Sequence, residues 1–257
     1  MKNRRLATTG VALVAALALG LTGCGNQTGA DTPAAGGADT PEVTTAPASA
    51  LDKLTAATLK LNEESMRLKI DSSFLKSTGL MDPKSKTADM TMDMGGQGKI
   101  RFMIVGNDAY LKVTGMSGSG LPDKWMHMDA TKLGPESRTS LMPDGDAGGA
   151  KKMVDGIVEV TETGTNSFSG TLDYTKANPG KKEIAALGEK AKKVPFTAKV
   201  DDEGRLTQLV VDTSVLQQSL GKLTTTYSDF GVDVKAEKPA ASETAPAPES
   251  LVKAFGN

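Results

Sequence analysis

From Met66 onward the chain keeps returning to a strict alternation of apolar and polar side chains, the period of a strand buried on one face only. In residues 65–75, Met66, Leu68, Ile70 and Phe74 alternate with Arg67, Lys69, Asp71 and Ser73. The segment 88–94 puts Met90, Met92 and Met94 on one face, and 99–105 does the same with Ile100, Phe102 and Ile104. In 108–114, Leu111 and Val113 stand opposite Tyr110 and Lys112. Gly95-Gly96, Gly106-Asn107-Asp108 and Asp202-Glu203-Gly204 supply turn chemistry. Further strands are expected at 124–130, 156–162, 167–174, 195–201, 205–213 and 223–237, while the polar stretch around Gly79–Lys86 reads as a loop. A helix is expected over 50–64 with Ser49 as its N-cap, and another over 180–193. Residues 131–152, rich in Pro and Gly, read as a loop with at most one short helix. The sum is α+β, a strongly curved antiparallel sheet of about ten strands with two or three helices.

The flanks differ from this core. Lys2, Arg4 and Arg5 precede the uncharged run VALVAALALGL, too short for a membrane span and the right size for an export signal. Leu21-Thr22-Gly23-Cys24 follows and resembles the lipobox of bacterial lipoproteins, which implies diacylglycerol on the Cys24 thiol and cleavage before it. Residues 1–23 are therefore expected to be a lipoprotein signal peptide. Residues 24–49, nearly all Gly, Ala, Thr, Pro and Asp after the Cys, are expected to be a tether. The folded domain is expected at 50–237, and 238–257 (KPAASETAPAPE and onward) as a largely disordered tail. The expected address is the extracytoplasmic face of the cell membrane, with the membrane itself a partner through Cys24.

Composition removes several function classes. Lys and Arg number 30 against 31 acids, and three of those bases lie in the signal, so no basic surface for nucleic acid is expected. One Cys and one His exclude an internal disulfide and the usual zinc sets. With His127 the sole His and no G-x-S-x-G, serine hydrolysis fails as well. Asp201, Asp202 and Glu203 read as a hairpin tip rather than paired glycosidase carboxylates. Asp144-Gly145-Asp146 begins like a calcium loop but has no closing Glu. No enzyme and no cofactor is expected.

The order of elements resembles the LolA/LppX-like group of exported lipid-binding lipoproteins. The resemblance rests on the N-terminal helix leading into a long strand, on Asp108-Ala109-Tyr110-Leu111-Lys112, and on Lys124-Trp125 opening the next strand. It rests also on the strand, turn and return strand of 195–209 and on Tyr227-Ser228-Asp229-Phe230-Gly231. It implies a half-barrel wrapped around helices, with an apolar cavity between them that takes a lipid or lipoglycan-like ligand. Candidate cavity residues are Met66, Leu68, Ile70, Phe74, Met90, Met92, Met94, Ile100, Phe102, Ile104, Leu111 and Val113. Seven of the twelve Met lie in or beside expected strands, and flexible thioethers suit chains of variable shape as well as they suit core filling. Two other readings stay open. One is an envelope interaction or sensor module with a closed core and a protein partner. The other is a Cu(I) site drawn from Met90, Met92, Met94, Met126 and His127, although Met126 and His127 face opposite sides of their strand. The lysines of 181–193 read as a solvated helix face or as a surface for anionic headgroups.

Overall fold

The computed structural model describes residues 48–116, 120–132, 149–177 and 180–256, so Cys24, the signal, the tether and Asp144–Asp146 lie outside the described residues. The described residues belong to one compact unit. Among the described residues, twelve strands build one sheet in the order β12-β6-β5-β4-β3-β2-β1-β11-β10-β9-β8-β7. They are β1 (Met66–Asp71), β2 (Lys76–Asp82), β3 (Thr87–Asp93), β4 (Lys99–Val105), β5 (Asp108–Thr114), β6 (Trp125–Asp129), β7 (Ile157–Gly164), β8 (Ser167–Leu172), β9 (Val194–Val200), β10 (Leu206–Asp212), β11 (Lys222–Ser228) and β12 (Thr244–Pro246). Neighbours pair antiparallel except β12 with β6, and the sheet does not close. Register shifts between Leu206 and Gln208, and along β7, add local twist that curves the sheet. The fold is the α+β, curved-sheet class expected from the alternation.

Helix α1 (Ala50–Lys60) starts where a capping box closes, Ser49 Oγ accepting from the Asp52 amide at 3.1 Å and Asp52 accepting from the Ser49 amide. Its buried face is Leu54, Ala57 and Thr58, continued by Leu61, a spacing that lays one stripe on the sheet. It packs on β7, β10 and the short helix α2 (Ala150–Asp155), which in turn meets α3 (Tyr174–Ala177). Lys182–Ala185 forms only a one-turn helix α4, followed by a 3-10 turn at Gly188–Lys192, in place of the helix expected over 180–193. Gly188, the first residue of that turn, has φ 62° and breaks the run.

Three further expectations are corrected. The first half of the loop expected around Gly79–Lys86 is strand β2, with only 83–86 a turn; its inward positions are Ser77, Gly79 and Met81 and so carry no apolar alternation. Gly79 is needed there, because a Cβ would stand 2.1 Å from the Asp89 carbonyl oxygen and 2.6 Å from Met90 Cα, backbone atoms of β3 that cannot step aside. The strand expected to reach residue 237 stops at Ser228, where Asp229 (φ 52°) and Gly231 (φ 78°) turn the chain out of the sheet.

The stretch after 238, expected to be disordered, is a strap. Lys238 grips Asp108 on the outer face, Lys124 donates to the Ser242 carbonyl, and β12 then pairs in parallel with the edge of β6. Helix α5 (Glu249–Gly256) follows, and Leu251 and Val252 pack against the main core. β12 covers a strand edge that would otherwise present free amides and carbonyls.

Candidate functional site

The inner face of β1 to β6 carries three apolar rows that the register defines. The first runs Met66, Met81, Ala88, Ile104, Ala109, Met128, and none of these is more than 5 % exposed. The second runs Leu68, Gly79, Met90, Phe102, Leu111, Met126, and all its side chains beyond glycine are buried. The third runs Ile70, Ser77, Met92, Ile100, Val113. Here the four apolar members are only half-buried, though three of them still pack against the core cluster. Burial thus falls off toward one end of the strands, so the face is closed at one end and open at a rim.

Eleven of the twelve candidate cavity residues therefore lie on or at the end of this inner face; Met94 sits just past β3 and is half-buried at the rim. Phe74 does not belong with them. It stands in the turn between β1 and β2, where the alternation has ended, and is 60 % exposed. Sequence reasoning missed Met81, Ala88 and Ala109, the first because β2 had no visible period and the others because alanine is a weak apolar signal. Met126 and Met128 were visible as one face of β6 and complete the rows.

The other half of the sheet, β7 to β11, is covered by α1 and α2. The crevice left between Leu54, Val154, Phe196, Leu206 and Leu209 measures about 10 Å3, no more than one water occupies. That half is a packed core.

The outer face holds polar and charged clips. Asp89 binds Arg101 through two oxygens at 2.9 and 2.5 Å, and the guanidinium stacks over Trp125 at 5.4 Å. Asp108 lies 2.6 Å from both Lys238 Nζ and His127 Nε2, and Tyr110 rests 5.1 Å from the His127 ring. The hydrogen bond from Lys238, and after it the one from His127, holds the Asp108 carboxyl below its ordinary range. Met103, Tyr110 and Trp125 form a small buried cluster beside these contacts, where the strap passes. The register keeps His127 and Trp125 outside and Met126 inside, and two strands separate Met90 from Met126. At about 4.8 Å per strand, those two thioethers stand too far apart to share one ion. Among the described residues, no three His, Cys, Asp or Glu side chains come together as a metal set, and no helix is long and apolar enough to cross a membrane.

No family model and no curated protein matches the chain. Among solved structures, the chain is similar to the crystal structure of Mycobacterium tuberculosis lipoprotein LppX. The two are 17 % identical, with a TM-score of 0.42, over 71 % of this chain and 94 % of that chain.

Proposed function

We propose that the chain is a non-catalytic, Cys24-anchored envelope lipoprotein that binds and carries a lipid or other hydrophobic molecule on the inner face of β1 to β6. The observation that carries the reading is the burial gradient, from the closed row of Met66 and Met128 to the half-open rim of Ile70, Met92, Ile100 and Val113. An acyl chain entering at the rim exchanges bilayer for protein. Each methylene is worth about 0.8 kcal/mol against water in either place, so transfer is close to neutral and needs no energy source. Met90, Met92 and Met126 give the face deformable side chains that accept chains of different shape.

The test is native mass spectrometry of residues 25–257 purified without detergent. A discrete added mass that organic solvent extracts as lipid is expected, and Ile100→Asp at the rim should abolish it while the protein stays folded. A bare protein mass from a folded sample overturns the carrier reading. It would favour the second reading, a closed interaction module, which the packed half beneath α1 supports.

A further inference from the structure

The rim end of the sheet carries two exposed apolar side chains on neighbouring loops. Phe74 sits at the β1–β2 turn, 60 % exposed, and Val215 follows β10, 38 % exposed. The Ser73 hydroxyl ties the loops together, with the carbonyls of Ser219 and Leu220 each 2.9 Å away. Immediately beside them is an open groove of about 670 Å3 on the outer face, walled by Lys69, Lys76 and Lys222 with threonine and serine hydroxyls between. Among the described residues Asp71 is the one acid lining the groove; Asp212 stands in register with Lys222, and Asp93, in register with Lys76, is already paired with Lys99 at 3.3 Å, so an excess of positive charge remains. Among the described residues none of the three lysines closes an ion pair within 4 Å.

The segment joining β8 to β9 ends at the same rim. Residues 181–193 have five lysines, all exposed, against Glu183 and Glu189. The hairpin at the opposite end, between β9 and β10, has Asp201, Asp202 and Glu203 against Arg205. On a chain with a net charge of −1, the basic excess at the rim is a local feature.

We propose that this end of the sheet docks on an anionic lipid bilayer, Phe74 and Val215 entering the headgroup layer while Lys69, Lys76 and Lys222 face the phosphates. Charge complementarity and exposed apolar tips act together only on such a surface. A dissolved anion engages the lysines and gains nothing from Phe74, whereas a bilayer engages both. The proposal rests on the carrier reading in one respect: docking would bring the half-open row of Ile70, Met92, Ile100 and Val113 against the source of the lipid.

Co-sedimentation of residues 25–257 with phosphatidylglycerol vesicles, and with phosphatidylcholine vesicles, tests it. Binding to phosphatidylglycerol is expected, weakened by salt and much lower on phosphatidylcholine. Phe74→Ser should weaken it roughly tenfold, and each of Lys69→Gln, Lys76→Gln and Lys222→Gln roughly fivefold. All four residues are exposed or face the groove, and an unchanged melting curve shows that each variant is folded. Equal pelleting with both lipids, or variants that pellet like the unmodified chain, overturns the docking surface. Lipid content separates this from the carrier reading. Adduct without vesicle binding sinks docking alone, and vesicle binding without adduct sinks the carrier alone.

Discussion

Phe102 and Ile100 sit two residues apart on β4 and point to the same face, yet their surroundings differ. Phe102 is 1 % exposed in the middle row, and Ile100 is half-buried in the rim row. Truncating the first empties a packed site, so Phe102→Ala should cost about 3–5 kcal/mol of unfolding free energy. Met92→Asp, opposite Ile100, places its charge where water can reach it and should shift stability by about 1 kcal/mol or less. The two variants therefore divide the inner face by role. Denaturant titration of both, with lipid content measured on Met92→Asp, checks this. If Met92→Asp unfolds the protein as severely as Phe102→Ala, the rim is core and the gradient has been misread.

Among the elements, the strap from Lys238 to α5 is attached in part by charge. Asp108 holds it by accepting from Lys238, and it also faces His127. Because the folded carboxyl titrates below its ordinary value, its contribution is full at neutral pH. That contribution disappears as pH falls through the depressed value and the carboxyl takes up a proton. Trp125 is the sole tryptophan and pairs with Thr244 of β12, so it reports on the strap. Acidification below the carboxylate range should red-shift its fluorescence before the fold is lost. Asp108→Asn should show that red-shifted emission already at neutral pH, together with faster amide exchange at residues 244–247. A pH-independent Trp125 signal in the unmodified chain would mean that the strap is held by β12 and α5 alone.

For the molecule as a whole, the carrier proposal gives one sheet two purposes. Its β7–β11 half is filled by α1 and α2, and its β1–β6 half keeps a graded apolar face. The filled half gives the protein stability that does not depend on a ligand. On the carrier proposal, ligand binding to the other half would add to it by linkage, about 2.7 kcal/mol when free ligand stands at a hundred times Kd. Delipidated protein should therefore fold cooperatively but melt below the lipid-loaded form, and adding back the extracted lipid should restore the higher midpoint. A melting temperature indifferent to lipid would place the cargo outside the folded unit. On the docking proposal, the distribution of lysines would turn the rim end of the sheet, rather than the acidic hairpin end, toward an anionic membrane.

Strand content and the apolar rows were legible in the sequence because alternation is local. Each inward residue is two positions from the next, and Met66, Leu68 and Ile70, or Ile100, Phe102 and Ile104, announce their face without any knowledge of neighbours. The Ser49 cap was legible for the same reason, its partner Asp52 being three residues away. What only the tertiary structure decided depends on contacts far apart in the chain. Strand β2 could be seen only once Met90 lay across Gly79. The strap exists because Lys238 meets Asp108 and Thr244 meets Trp125, each pair more than a hundred residues apart, through a composition that by itself cannot bury enough surface to order. The burial gradient that separates rim from core follows from how the sheet curves and what covers each end. Side chains of one type, Met66 and Met92, stand at its opposite ends, and no local pattern distinguishes them.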